Sequence, residues 1–235
     1  MDQDQLKRLV AEAARDEVLR LPDGQLLGIG TGSTANWFID LLAPHKNHFS
    51  GVVSSSMAST NLLLKYGFTV IDANKVISLP VYVDGADEID PNGHMIKGGG
   101  GALTREKIIA SLAKQFVCIC DSSKQVLELG AFPLPIEVVP LAEASVARMM
   151  EKFGGTAKLR LKNNKLPKQE KLSEPFVTDN SGWILDVSGL HIHDPVKLEN
   201  EINQIPGIIT VGIFAQRKAD VLLVGGSSGV TRLTF

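Results

Sequence analysis

The stretch from Lys97 to Lys107 contains the residue types that acid–base chemistry on an anionic substrate requires. A lysine is followed by four consecutive glycines, Gly98–Gly101, and then by the carboxylate of Glu106 in the first turn of a predicted helix. Glycine lets the backbone approach a ligand closely, and N–H groups at a helix N-terminus favour negative charge. The stretch therefore combines a candidate general base with anion-stabilising donors. A flexible turn before an ordinary helix explains this stretch alone equally well.

A second glycine-rich turn, Gly28–Ala35, lies between a predicted strand and a predicted helix. It satisfies the dinucleotide pattern G-x-G-x-x-A, but the next strand leads into Ser54–Ser56 instead of the acid that would bind a nucleotide ribose. The turn also lacks the Gly-Lys-Ser/Thr of a P-loop. Its N–H groups and the hydroxyls of Thr31, Ser33 and Thr34 suit a phosphate monoester or a small polyol, and Ser33 is also expected to cap the helix.

Four acids follow the predicted strand Leu79–Val83, namely Asp84, Asp87, Glu88 and Asp90. Ligands of α/β sheets bind at the carboxyl ends of parallel strands, so Asp84 and Asp87 are candidates to bind sugar hydroxyls or to transfer protons. Asx turns and a Mg²⁺ site are the alternatives, because an acid beside glycine favours turns and Mg²⁺ prefers oxygen ligands. We favour hydroxyl recognition.

Glu106 shares a predicted helix face with small apolar residues, so it is expected to border a packed surface. Burial there would tune the carboxylate pKa for a general base. A first-turn glutamate that complements the helix dipole is the common alternative. Lys124 follows the predicted strand Phe116–Cys120 at the same sheet edge and could reach a phosphate, although a lysine after a strand is usually solvated.

Strands and helices alternate through the first half of the chain, which favours a parallel α/β sheet. Pro22–Gly24 and Gly67 provide stop signals for two of the helices. The predicted helices are Gln5–Arg20, Ser33–Leu42, Ser59–Lys65 and Leu103–Lys114, and the predicted strands are Gln25–Ile29, Gly51–Val53, Phe68–Ile71, Leu79–Val83 and Phe116–Cys120.

The order changes to β-α-β-β-α-β after Phe132–Pro135, which suits a ferredoxin-like unit. The apolar strand Ala219–Val224 would then rejoin the first sheet. We therefore predict a Rossmann-like α/β domain of residues 1–131 and 214–235, with a smaller inserted ferredoxin-like α+β domain of residues 132–213. The unit's predicted strands are Ile136–Val139, Thr156–Leu161, Trp183–Val187 and Ile208–Ile213, its helices are Glu143–Phe153 and Pro195–Gln204, and a solvated Lys-rich loop spans 162–174.

Composition excludes several classes of protein. The 235 residues carry a net charge of −2, so a nucleic-acid partner is not expected. No apolar run approaches a membrane span and the polar N-terminus does not resemble a signal peptide, so a cytoplasmic protein is expected. Cys118 and Cys120 lie on one strand face, where we expect reduced thiols. His191 and His193 lack a nearby third ligand, so we expect them to be surface or interface residues and expect no metal site.

The motifs together resemble type A ribose-5-phosphate isomerases. The resemblance extends nearly from end to end, and the Asp-Gly-Ala-Asp-Glu and Lys-Gly-Gly-Gly pieces together are highly specific. Its main departure is the Lys-rich stretch, which is longer than in short bacterial members. The motifs that carry it are Gly28–Ala35, Ser54–Ser56, Val83–Ile89, Lys97–Gly100, Ala102–Lys107, Phe132–Val138 and Val177–Asn180.

The resemblance implies interconversion of D-ribose 5-phosphate and D-ribulose 5-phosphate in the pentose phosphate pathway, without a metal or other cofactor. It implies that Glu106 is the base and that the protein is a homodimer or a tetramer. The mechanism would use Lys97 and the loop N–H groups for the oxyanion, with Asp84 or Asp87 assisting ring opening. The implied substrate-binding residues are Thr31, Gly32, Ser33, Thr34, Asp84, Gly85, Ala86, Asp87, Lys97, Gly98, Gly99, Gly100 and Lys124.

Two other functions compete with this interpretation. A non-catalytic sugar-phosphate sensor of related fold would need a DNA-binding helix-turn-helix, and none with a basic surface precedes Leu26. A sensor could also dispense with the base, yet Glu106 is present. A dehydrogenase is disfavoured by the serines at Ser54–Ser56, where the ribose-binding acid would stand.

Overall fold

A computed structural model describes residues 1–162 and 174–235 of the chain. Most of the predicted Lys-rich loop, residues 163–173, lies outside the described residues. The helices are α1 (Gln3–Val18), α2 (Ser33–Leu42), α3 (Met57–Lys65), α4 (Leu103–Leu112), α5 (Glu143–Glu151) and α6 (Pro195–Asn203). The strands are β1 (Gln25–Ile29), β2 (Phe49–Ser54), β3 (Leu79–Asp84), β4 (Glu88–Ile89), β5 (Met95–Ile96), β6 (Ala113–Asp121), β7 (Leu134–Val138), β8 (Thr156–Leu159), β9 (Trp183–Ser188), β10 (Ile208–Val211), β11 (Ile213–Phe214), β12 (Val221–Gly226) and β13 (Gly229–Thr234).

The larger sheet has the strand order β13-β12-β6-β3-β1-β2. Its pairs are parallel except for β12 with β13, which is antiparallel. The central strands β3, β6 and β12 are nearly continuous apolar runs, as strands covered on both faces must be. The predicted parallel α/β sheet is confirmed, and β12 does rejoin it. All the parallel strands therefore end at one edge, where their loops meet.

The smaller sheet is antiparallel, with the order β10-β7-β9-β8 and with α5 and α6 as its connecting helices. This order and connectivity are those of the predicted ferredoxin-like unit. All four strands lie within residues 132–213, although the boundaries between the two domains remain a prediction. Leu134, Ile136 and Val138 alternate along β7 and join the apolar core of this unit.

Three short strands were not predicted. Strands β4, β5 and β11 form a small sheet in which Ile96 pairs with Ile213, and Lys97 N then donates to the Gly212 carbonyl. Two-residue strands are too short to show a periodic pattern, so sequence reasoning misses them. The edge strand β13 was also missed, because most of it is exposed and polar. The predicted strand Phe68–Ile71 is reduced to a single bridge between Val70 and Val52.

Helix α4 is held by the smaller unit as well as by the large sheet. Lys107 Nζ lies 2.6 Å from Glu199 Oε1 of α6 and donates to the Ile213 carbonyl at 2.6 Å. Arg105 Nε donates to Asn180 Oδ1 at 2.8 Å. Glu106 lies between these two anchored residues, so the orientation of its side chain depends on both units.

Two minor expectations are met within residues 1–162 and 174–235. Cys118 and Cys120 are buried free thiols, and His191 and His193 are exposed, as predicted. None of the helices described is long and apolar enough to cross a membrane.

Candidate active site

The loops at the carboxyl ends of the parallel strands enclose one pocket, as the sequence predicted. The pocket also receives Gln3 and Lys7 from α1, which sequence reasoning missed because no motif marks them. Gln3 Nε2 donates to Asp121 Oδ2 at 3.4 Å, which ties this helix to the end of β6. The lining residues are Gln3, Lys7, Thr31, Gly32, Ser33, Thr34, Gly85, Ala86, Asp87, Lys97, Gly98, Gly99, Gly100, Glu106, Cys120, Asp121 and Lys124.

Asp84 lies beneath the pocket and is completely buried. Its Oδ1 accepts from the N–H groups of Thr31 at 2.9 Å and Gly85 at 2.7 Å. Its Oδ2 accepts from Tyr82 OH at 2.5 Å and Lys97 Nζ at 2.8 Å. A carboxylate has about four lone-pair sites, and these four bonds occupy them. The structure therefore gives Asp84 a positioning role, and a sugar hydroxyl would have to displace one of these partners to bind it.

Lys97 is buried at the floor of the pocket, with its side chain 3% exposed. Its ammonium donates to Asp84 and to the Gly85 carbonyl at 2.5 Å, and it lies 3.3 Å from Glu106 Oε2. Burial disfavours the charged form, but Asp84 and Glu106 outweigh it and hold the Lys97 pKa above its ordinary value. Lys97 is therefore a fixed positive charge beside the candidate base.

Glu106 lies on α4 with only 3% of its surface exposed, which confirms that its helix face is packed. Burial raises the pKa of Glu106 to about 8, although Lys97 opposes this shift; Asp84 and Asp87 add to it. Its Oε2 is within ion-pair distance of Lys97, yet the angles are not those of a hydrogen bond. Among the described residues this oxygen has no hydrogen-bond partner. A helix-dipole role does not explain a buried carboxylate that lines a pocket.

The glycine run forms a tight turn above Lys97. Gly98 and Gly101 have φ values of 107° and 81°, a region that favours glycine, and the Gly101 N–H donates to the Gly98 carbonyl. The Gly99 N–H donates to Asp87 Oδ2 at 2.7 Å. The N–H groups of Gly98 and Gly100 have no acceptor within residues 1–162 and 174–235. They are the donors of this turn that remain for a ligand.

The N-terminus of α2 forms another part of the pocket. Gly32 is the N-cap with a φ of 110°, and no side chain caps the helix. The expectation that Ser33 caps this helix is wrong. The N-cap position is held by Gly32, and Ser33 is already the first helical residue, so its side chain is not at the position from which a cap accepts the first helical N–H groups. Leaving these N–H groups uncapped creates an anion site. Lys7 and Lys124 add positive charge to the pocket.

Two acids of the Asp84–Asp90 run have structural roles. Glu88 accepts from the N–H groups of Gly130 and Phe132, and Asp90 forms an Asx turn with Asn92. The Mg²⁺ alternative has no support in the described part of the chain, where no group of three or more His, Cys, Asp or Glu residues is placed to hold a metal ion.

Comparison with known proteins identifies the family. The sequence model of the family described as Ribose 5-phosphate isomerase A (phosphoriboisomerase A) matches residues 51–229. The chain belongs to this family. The family resemblance that the sequence motifs indicated is therefore confirmed, and the similarity extends beyond those motifs.

Full-length relatives of the ribose 5-phosphate isomerase A family agree with this assignment. A ribose-5-phosphate isomerase A of Polynucleobacter asymbioticus is 66% identical, with all of both chains covered. The solved ribose 5 phosphate isomerase A of Neisseria gonorrhoeae is 42% identical with a TM-score of 0.89, covering 99% of this chain and 97% of its own. A solved D-ribose-5-phosphate isomerase in complex with phospho-erythronic acid is 36% identical with a TM-score of 0.90, and both chains are fully covered.

The raised pKa of Glu106 predicts a pH dependence. A base is active when ionised, so kcat/KM for ribose 5-phosphate should rise about tenfold per pH unit at low pH and level off above about pH 8. The ¹³C shift of the labelled Glu106 carboxyl, assigned by difference from Glu106→Gln, should show the same midpoint. A midpoint near the ordinary glutamate value, about 4.3, would contradict the burial argument.

Two glycine substitutions should distinguish the packed surroundings of Asp84, which affect stability, from the open part of the pocket, which affects substrate binding. A Cβ on Gly30 would lie 1.9 Å from Asp84 Oδ1, so Gly30→Ala should lower the free energy of unfolding by about 3 kcal/mol through overpacking. A Cβ on Gly100 would meet only Thr31 Cγ2 at 3.8 Å, so Gly100→Ala should keep the wild-type stability and lose substrate affinity. Thermal melts and KM values measure both. Equal stability of the two variants would refute the assignment of Asp84 as a packed anchor.

Proposed function

We propose that this chain interconverts D-ribose 5-phosphate and D-ribulose 5-phosphate, a step of the pentose phosphate pathway, with Glu106 as the single base. The observation that carries this proposal is the buried Glu106 carboxylate. One of its oxygens has no hydrogen-bond partner in the described residues and lies 3.3 Å from the Lys97 ammonium. The Gly98 and Gly100 N–H groups, which likewise have no acceptor there, belong to residues that line the same pocket. An aldose–ketose isomerase needs these three elements and no external electron acceptor.

The substrate would lie with its phosphate toward α2 and its reacting carbons toward α4. The uncapped N–H groups of α2, the hydroxyls of Thr31, Ser33 and Thr34, and Lys124 would bind the phosphate. Lys7 lines the same pocket and would contribute further positive charge. Charge-assisted hydrogen bonds of this kind are the strong ones, so phosphate binding can orient the reacting carbons.

The reaction would then proceed by proton transfer through an enediolate. Glu106 removes the C2 proton, the C2–H electrons form the C1=C2 double bond, and the carbonyl π electrons move to O1. The Gly100 N–H and the Lys97 ammonium would stabilise this oxyanion. A proton moves from O2 to O1, and Glu106 returns its proton to C1. One carboxylate therefore begins and ends the cycle in the same ionisation state.

Asp84 and Asp87 would have different roles in this mechanism. Asp84 holds Lys97 and the Thr31 N–H, and its lone-pair sites are already occupied. Asp87 is only half-buried and accepts from the Gly99 N–H through Oδ2. Asp87 is thus better placed than Asp84 to contact sugar hydroxyls and to assist ring opening of the furanose form.

The proposed function is tested by incubating the protein with ribose 5-phosphate in EDTA and measuring ketose. Formation of ribulose 5-phosphate supports both the reaction and its independence of a metal. Tight binding without turnover would favour the sugar-phosphate sensor instead. The assembly into a homodimer or tetramer belongs to the same proposal and rests on the family resemblance. The cytoplasmic location is also part of the proposal and rests on the composition of the chain.

Replacing the base should abolish turnover while leaving binding intact. Glu106→Gln keeps the size of the side chain but removes its basicity, so kcat should fall at least about 10²-fold. Exchange of the C2 proton into D₂O should fall equally, whereas the affinity for ribose 5-phosphate should change little. Glu128→Gln, at a half-exposed glutamate outside the pocket, is the matched control. Near-normal exchange in folded Glu106→Gln would assign the base to another group.

Removing Lys124, the proposed phosphate-binding cation, should raise KM for ribose 5-phosphate. Lys124→Ala loses a charge-assisted hydrogen bond, so KM for ribose 5-phosphate should rise about 10–100-fold. Lys114→Ala is the matched control, because Lys114 is exposed at the opposite end of β6. Free ribose should be a very poor substrate for the wild type, since it lacks the remote binding group. Comparable kcat/KM values for ribose and ribose 5-phosphate would contradict this assignment.

A further inference from the structure

A guanidinium from the smaller unit binds the outer side of the glycine turn. Arg160 follows β8, and its Nη1 donates to the carbonyls of Gly98 at 2.9 Å and Gly99 at 3.1 Å. Its Nε and Nη2 donate to the two oxygens of Asp186 on β9, at 2.9 and 2.5 Å. The bidentate pair fixes the plane of the guanidinium, so the remaining nitrogen is directed at the turn.

The planar peptide bond links the contact made by Arg160 to the N–H groups on the other side of the glycine turn. The carbonyl of one residue and the N–H of the next belong to one planar trans unit and point in opposite directions. Arg160 and Asp87 therefore hold the Gly98–Gly99 peptide from both sides, through its carbonyl and its N–H. Arg160 holds the Gly99–Gly100 peptide by its carbonyl alone. The Gly100 N–H, on the opposite side, has no acceptor in the part of the chain that the structure describes.

Neighbouring contacts show that this side of the turn is a packed surface. Phe176 lies against Gly101, where an added Cβ would meet its ring at 2.5 Å. The guanidinium carbon of Arg160 lies 5.9 Å from the centre of the same ring, within the range of a cation–π interaction. The side chain of Arg160 is 15% exposed, so its charge is only partly screened by water. Hydrogen bonds in such surroundings polarise one another.

We propose that Arg160 is a positioning residue for the reaction, acting through the Gly99–Gly100 peptide. It fixes the direction of the Gly100 N–H and, by withdrawing charge from the Gly99 carbonyl, makes that N–H a stronger donor to the developing oxyanion. The smaller unit thereby contributes to catalysis without touching the substrate. This inference rests on the proposed isomerase function.

The test compares Arg160→Met, Arg160→Lys and Arg148→Met, the last at an exposed arginine of α5 as the matched control. Removing one oxyanion donor typically costs about 10²–10³ in rate, so misdirecting one should lower kcat about 10–100-fold. KM for ribose 5-phosphate should change less than about threefold, because the phosphate contacts are untouched. Arg160→Lys should recover part of kcat, since an ammonium can donate to a carbonyl but cannot form the bidentate pair with Asp186.

Two binding titrations separate this effect from a general loss of structure. Phospho-erythronate carries a fixed anionic carboxylate in place of the anionic end of the enediolate, so its affinity should fall with kcat in Arg160→Met if the Gly100 N–H is misdirected. The affinity for inorganic phosphate should stay at the wild-type value. A parallel loss of both affinities would show that the substitution only disturbs the fold, and would overturn the proposal.

A further variant keeps the proposal testable if Arg160→Met does not fold. Asp186→Asn retains the guanidinium but weakens the pair that directs it, so kcat should fall by a smaller factor with KM unchanged. Wild-type kcat in folded Arg160→Met or in Asp186→Asn would overturn the positioning role and leave the isomerase function standing. Absence of isomerase activity in the wild type would instead overturn the proposed function itself.

Discussion

The buried ion pair between Asp84 and Lys97 is the interaction on which the site depends. Moving two charges from water into a protein interior costs several kcal/mol each, and the cost is recovered only when the remaining donors and acceptors are satisfied. Here Tyr82 and the N–H groups of Thr31 and Gly85 complete the shell of Asp84. One carboxylate thus connects the end of β3, the turn before α2 and the lysine beside Glu106. Displacing it would disturb all three at once.

Parallel topology explains how much of this arrangement could be predicted. Once the strands are assigned, their carboxyl ends must meet at one edge, so Thr31, Asp87, Glu106 and Lys124 could be placed in one pocket from the sequence alone. The internal partners of Asp84 could not, because a buried donor such as Tyr82 reads as an ordinary strand residue. The sequence pattern therefore predicts which residues come together, but the lone pairs that internal donors already occupy are determined by the tertiary packing.

The contributions from distant parts of the chain follow the same logic. Lys7 reaches the pocket because α1 packs across the end of β6, a tertiary contact with no local signature. Arg160 reaches the glycine turn from the smaller unit, 61 positions from Gly99. Glu199 reaches Lys107 on α4 in the same way. The smaller unit therefore supports both α4, which carries Glu106, and the glycine turn.

The cost of the site is concentrated at Glu106. A buried polar oxygen without a hydrogen bond typically costs about 1–3 kcal/mol. The Lys97 ammonium, 3.3 Å away, offsets only part of this cost, because it also donates to Asp84 and to the Gly85 carbonyl. A protein selected only for stability would pair this oxygen or replace it with an apolar side chain. A general base cannot be paired in this way, because its lone pair must be free to accept the proton of the substrate. Glu106 and the glycine turn line the same pocket, and Glu106 Oε2 and the Gly98 and Gly100 N–H groups have no hydrogen-bond partner within residues 1–162 and 174–235. One ligand with a C–H acid beside a carbonyl would satisfy both.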